Sequence, residues 1–179
     1  MAVVPYEVRE APFFHFIDEK RQIPTTILLG SEDEQVLQDK LEAYGDGWFQ
    51  PLIIDLDGRT YHLALKGFEI TEGERSYSGD SQAIYWAKCD LGSYGFLIQY
   101  LPPRAQTSRH YHEKIIETFF PIAGTCFVSN KRRRVEVVSG LCVLANKTHQ
   151  ITTEADPALN LVLIDGPDPI GNSDHHYVT

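Results

Sequence analysis

The chain has 179 residues, 42% of them hydrophobic and 23% charged, enough for one domain with a sizeable core plus an extension. Twenty-five acidic against sixteen basic residues give a formal charge of -9, which argues against a nucleic-acid partner. No apolar run approaches the ~20 residues that span a bilayer, so no membrane partner is expected. The opening "MAVVPYEVREAPFFHF" has no basic n-region and does not read as a signal peptide. Three cysteines, Cys89, Cys126 and Cys142, form no close pair and suit a reducing, cytoplasmic setting better than a disulfide framework.

Residues 1–67 read as an extension that packs on the main body. Within it, "GSEDEQVLQDKLEAYGDG" predicts a helix. Ser31 is its expected cap, Glu34 completes a capping box, Val36, Leu37, Leu41 and Tyr44 recur at helical spacing, and Gly45 ends it. Next, "WFQPLIIDLDGRTYHLAL" predicts two strands around an Asp57-Gly58 hairpin turn.

From residue 68 to 167 strand follows strand: "GFEIT", "AIYWAKCDLG", "YGFLIQYLPP", "SRHYH", "ETFFPIAGTCFVSN", "RVEVVSGLCVLA", "HQITT" and "LNLVLID". Short strands at regular spacing without intervening helices predict an all-β, antiparallel sandwich or small barrel. "NKRRR", Asn130 to Arg134, reads as a solvated hairpin tip. Residues 168–179, rich in Gly, Pro and polar residues, read as a loose tail, and their doublet His175-His176 is a second, weaker metal candidate.

Chemistry concentrates in "RHYHEKIIETFFPIAG", Arg109 to Gly124. Side chains alternate faces along a strand, so His110 and His112 point the same way, ~7 Å apart. Glu117 is at an odd offset from His112, and a turn around Glu113–Lys114 would bring it to the same interior on a neighbouring strand. His149, at the mouth of another strand, is the fourth candidate. Three imidazoles and a carboxylate suit a divalent Fe, Mn, Zn, Ni or Co ion, with one or two positions left for water or substrate.

These residues resemble the first motif of the cupin superfamily, G-x5-H-x-H-x3,4-E-x6-G. His110, His112, Glu117 and Gly124 match it at the right spacings, while Arg104 stands at its leading glycine. The second motif, G-x5-P-x-G-x2-H-x3-N, is matched at His149. Gly140 lies two residues closer to that histidine than the motif asks. Leu144 stands at the proline, Asn146 at the second glycine, where a left-handed residue fits, and Thr153 at the asparagine.

The resemblance implies a jelly-roll barrel over residues 68–167 with a metal inside its mouth, and a homodimer, to which "FFHF" and "VVPYEV" could offer apolar surface. Cupins include dioxygenases, decarboxylases, sugar-phosphate isomerases and epimerases, and also sensors and binding modules. A metal-dependent enzyme acting on a small polar or anionic molecule, by oxygenation or Lewis-acid isomerisation, is therefore expected. A non-catalytic small-molecule-binding or sensor protein is the alternative. Gln99, Tyr100, Arg104 and Phe119 are candidate substrate contacts; Arg109 and Lys114 are further cations near the histidines. No residue stands out as a general acid or base.

Overall fold

The structure, a computed structural model, describes residues 4–8, 11–18, 23–44, 48–75, 81–171 and 173–178. In its first three strands, side-chain surroundings are described for Phe14 and residues 26–31. The chain divides into two compact units, Met1–Phe68 and Glu69–Thr179.

The first unit is more than a helix and a hairpin. Strands β1 (Val4–Val8), β2 (Ala11–Asp18), β3 (Ile23–Ser31), β4 (Gln50–Leu56) and β5 (Arg59–Lys66) form one antiparallel sheet in the order β1-β2-β3-β5-β4. The β4–β5 hairpin turns at Asp57 and Gly58, both with positive φ as a tight two-residue turn requires. Helix α1 (Glu34–Tyr44) buries Leu37 with Ile27, Leu29 and Ala64, and Leu41, Tyr44 and Phe49 pack around them.

Its cap is Asp33 rather than Ser31. The Asp33 carboxylate accepts from the Gln35 and Val36 amides (2.8 and 3.4 Å), and the Leu37 amide donates to the Asp33 carbonyl. Ser31 Oγ accepts from the Asp33 amide one step upstream. An aspartate nearer the first turn also carries charge to the positive end of the helix, so it displaces the serine. Gly45, the expected terminator, lies outside the described residues, as do the side chains of Phe13, Phe16 and "VVPYEV"; Phe14 is buried.

The second unit is built from antiparallel strands: β6 (Glu69–Arg75), β7 (Ile84–Asp90), β8 (Tyr94–Leu101), β9 (His110–Tyr111), β10 (Ile116–Ser129), β11 (Arg134–Glu136), β12 (Leu141–Val143), β13 (Gln150–Asp165) and β14 (His176–Tyr177). The main sheet runs β11-β10-β13-β8-β7-β6, with β12 also on β10, and a second ribbon pairs β14 with β9. This is the all-antiparallel arrangement expected of a jelly roll, and among the described residues no sheet closes on itself. "NKRRR" is the β10–β11 hairpin tip, where the Asn130 side chain accepts from the Arg132 and Arg133 amides.

"HQITT" and "LNLVLID" belong to one strand, β13, whose pairing with β10 jumps from Gly124↔Ala158 to Cys126↔Thr153. The chain between bulges outward at Glu154–Asp156, which are exposed. The bulge brings the Pro157 carbonyl against Gly124, whose φ is 71°; a Cβ there would collide with the carbonyl oxygen. Only glycine meets both demands.

A core of Ala83, Leu101, Ile115, Phe119, Cys126, Val128, Ile151, Ala158, Val162 and Ile164 fills the inner face. Phe119 and Glu117 share parity on β10, so Glu117 is held on that inner face by the packing of its neighbours.

Candidate metal centre

His110 and His149 are bonded to each other by their backbones: each amide donates to the other's carbonyl, at 3.0 and 2.8 Å. This antiparallel bridge sets the two imidazoles side by side, with ring centroids 4.3 Å apart. His112 follows two residues on, its ring 4.9 Å from that of His110. Between His112 and β10 the chain turns at Glu113–Lys114, which returns Glu117 to the same space. All four residues are buried, 2–7% exposed.

Each imidazole is fixed through Nδ1, which donates to a backbone carbonyl: Ser108 for His110 (2.9 Å), Asp174 for His112 (3.0 Å) and Lys147 for His149 (3.0 Å). With Nδ1 as donor, the lone pair of each neutral ring sits on Nε2. The three Nε2 atoms converge on Glu117 Oε2, at 3.9, 3.3 and 2.7 Å for His110, His112 and His149. Nε2 of His110 and of His112 is shielded from solvent and has no hydrogen-bond partner.

Those two orphaned nitrogens test the fit of an ion. A buried polar atom without a partner costs ~1–3 kcal/mol, so their lone pairs call for an acceptor of electrons. Ligand atoms held at ~2.1 Å around one ion lie about 3.0–3.4 Å apart, and the observed Nε2–Oε2 separations straddle that range. The four residues fit a divalent metal.

Protonation follows the same geometry. Burial outweighs the pull of Glu117 and lowers His110 to about 4. Burial would also lower His112, but the Glu117 carboxylate beside it raises it. Burial alone would raise Glu117; the imidazoles of His112 and His149 beside it hold it well below the usual carboxylate range. The carboxylate therefore stays anionic, and His110 stays neutral at physiological pH.

The backbone explains two departures from the cupin motifs. Arg104, at the first motif's leading glycine, has φ 56°, and Asn146, at the second motif's glycine, has φ 63°. The left-handed conformation persists although the glycines do not. Asn146 also joins the two motifs, its amide donating to the His112 carbonyl. At the motif's asparagine position, Thr153 Oγ1 accepts from the Ala105 amide at 2.9 Å and so ties β13 to the turn after β8.

Of the substrate candidates, Gln99 has the strand parity of Leu97 and Leu101, so it faces the core side; it is 4% exposed and its Oε1 has no partner. Phe119 packs edge-on against His149, with centroids 6.2 Å apart. Tyr100, one residue from Gln99, turns to the opposite face of β8. Arg104 is exposed in the turn after β8, and Lys114 is exposed beside Glu113.

The segment expected to be loose is ordered against the site. Asp174, 7% exposed, accepts from three successive amides, those of Glu113 (3.1 Å), Lys114 (2.8 Å) and Ile115 (3.0 Å). These bonds outweigh the cost of burial and lower its pKa. β14 then pairs with β9 through His176↔Tyr111 and Tyr177↔His110, and His176 stacks on Tyr111. His175 comes to rest with its ring 4.9 Å from His110 and 4.4 Å from His112. The one signal in the sequence was "DHHYV", an acid beside a histidine doublet with strand-forming residues after it.

No protein-family model and no curated protein sequence matches the chain. Among solved structures it is similar to a cupin-2 domain from Rhodospirillum rubrum (13% identity, 60% of this chain and 73% of that one, TM-score 0.46). It is also similar to a polyketide cyclase from Streptomyces resistomycificus (15%, 59% and 85%, 0.45). A third is a sugar phosphate isomerase of the cupin superfamily from Silicibacter pomeroyi (22%, 47% and 59%, 0.39). Several of the solved structures it is similar to are described as cupin or double-stranded β-helix proteins.

Proposed function

We propose that the protein is a metal-dependent cupin enzyme acting on a small polar or anionic organic molecule. The observation that carries this reading is the convergence of three Nε2 atoms on Glu117 Oε2, with each Nδ1 occupied by a backbone carbonyl. His110, His112 and His149 would hold the ion through Nε2 and Glu117 through Oε2. Bound there, the ion would polarise a substrate oxygen or lower the pKa of bound water, or engage oxygen if redox-active.

The chain's own residues do the rest. Glu117 supplies the only negative charge of the four ligands. The three carbonyls hold the rings in the ligating tautomer, as orienting partners of metal-bound histidines do. Phe119 covers the His149 side with hydrocarbon.

The test is metal analysis of protein purified without added chelator, followed by oxygen uptake with a panel of catechols, enols and keto acids. Stoichiometric iron with uptake supports oxygenation. Zinc or manganese with conversion of a sugar phosphate supports Lewis-acid isomerisation. Bound metal without turnover moves the protein to the binding or sensor class, and absence of any first-row metal ends the reading.

We further propose a cytoplasmic homodimer, with neither nucleic acid nor membrane as partner. Three free cysteines support a reducing compartment and the charge of -9 disfavours nucleic acid. Among the described residues no helix is long and apolar enough to cross a membrane. A monomer by light scattering at micromolar concentration overturns the dimer.

A further inference from the structure

The four proposed ligands are covered from two sides by different means. Phe119 lies against His149, whereas His175 lies against His110 and His112. His175 is half-buried, and its Nδ1 is shielded from solvent without a hydrogen-bond partner. Histidine can donate or accept at each ring nitrogen according to tautomer, so an unpartnered shielded nitrogen beside a metal centre is a vacant hydrogen-bonding position.

His175 is also held there firmly. Asp174, its neighbour, is fastened by three amide bonds from residues 113–115, and its own carbonyl accepts from His112 Nδ1. On the other side β14 pairs with β9. The ring is thus clamped by both flanking residues against the strand that carries His110.

We propose that His175 is a ligand-contacting residue of the metal centre: it donates a hydrogen bond to a small anionic group bound at the coordination positions that His110, His112, His149 and Glu117 leave open. Asp174 is the positioning residue that keeps it in reach. Two features favour a contact over direct ligation. His175 stands outside the four residues whose ligand atoms lie within 4.8 Å of one another. Three imidazoles already present Nε2 to that space. The ligand class that follows is an anion with a free acceptor oxygen or nitrogen after one atom has bound the metal, such as a carboxylate or enolate.

The inference rests on the metal reading, and the experiment separates the two. Cobalt(II) is titrated into metal-free wild-type protein and into His175→Ala and His175→Gln, followed by its visible absorption; azide is then titrated into each cobalt form. Wild-type protein that takes up no cobalt overturns the metal reading and this inference with it. Given uptake, both variants should bind cobalt within about threefold of wild type. Azide affinity should fall about 2- to 10-fold in His175→Ala, the worth of one hydrogen bond, and recover in part in His175→Gln, which keeps a donor. Unchanged azide affinity in the alanine variant overturns the proposal while leaving the metal site standing. So does a loss of cobalt affinity beyond tenfold, which would make His175 a ligand, or an azide affinity equally weak in both variants.

Discussion

The stretch Arg109–Gly124 and the segment Ser173–Val178 bring imidazoles to the same few ångströms by opposite routes. In the first, spacing does the work: two positions on a strand, one turn and a return strand align His110, His112 and Glu117. In the second, placement comes from hydrogen bonds to groups 59 to 62 residues away in sequence. A local pattern can therefore define a ligand set, but what stands over that set is decided by long-range contact.

If the first region carries the donors and the second only supports them, their losses should differ in size. His112→Ala removes one of four donors. Its metal affinity should fall by more than about 100-fold, beyond the ~10–100-fold typical when an orienting partner is lost, while circular dichroism reports an intact fold. Stoichiometric metal in that variant would remove His112 from the ligand set.

Asp174→Ala leaves all four donors and the Asp174 carbonyl in place but releases three amides. Metal affinity should drop about tenfold, and the metal-free protein should lose about 2–3 kcal/mol, since hydrogen bonds to a charged acceptor are the stronger kind. Denaturant melts and metal titration measure both. A variant as stable and as tight as wild type would show that the clamp contributes nothing.

Acid should act on both regions together. Burial lowers His110 and His175 to about 4, so between pH 6.5 and 4 the unfolded chain binds protons that the folded chain refuses. Stability of the metal-free protein should fall across that window. His112, raised by Glu117, acts in the opposite sense: its contribution is full below 6.5 and fades as pH rises through its folded value. Melts that stay flat from pH 6.5 to 4 would contradict the neutral, buried state of the two lowered rings.

The smallest effect is expected at Arg104. Its φ of 56° costs an ordinary residue about 1–2 kcal/mol, and glycine gives back part of that gain in unfolded-state entropy. Arg104→Gly should stabilise by about 0.5–1 kcal/mol, and Asn146→Gly by less, because asparagine tolerates that conformation. Destabilisation by Arg104→Gly would mean that the arginine side chain makes contacts outweighing its backbone strain.

Residues with local rules were readable in advance. His110, His112 and Glu117 followed from strand alternation and one turn, and the Asp57-Gly58 hairpin from its turn chemistry. The helix was legible in extent, but its cap was misplaced because Ser31 and Asp33 both satisfy the composition rule and only geometry separates them. Strands β1 to β3 escaped notice since Pro5, Pro12 and Pro24 interrupt them; proline cannot donate to a ladder and argues against a strand. The bulge at Glu154–Asp156 made one strand read as two. The doublet His175-His176 is visible in the sequence, but its ordered placement with Asp174 is not, because a Gly- and Pro-rich approach looks loose until its hydrogen-bond partners are known.

The acceptors that orient the three imidazoles are all main-chain oxygens, at Ser108, Lys147 and Asp174. Replacing the side chains at those positions does not erase a carbonyl. Orientation of the rings is thus buffered against point changes and answerable instead to loop length, so an inserted or deleted residue near any of the three should disturb the ion's surroundings where substitutions pass unnoticed.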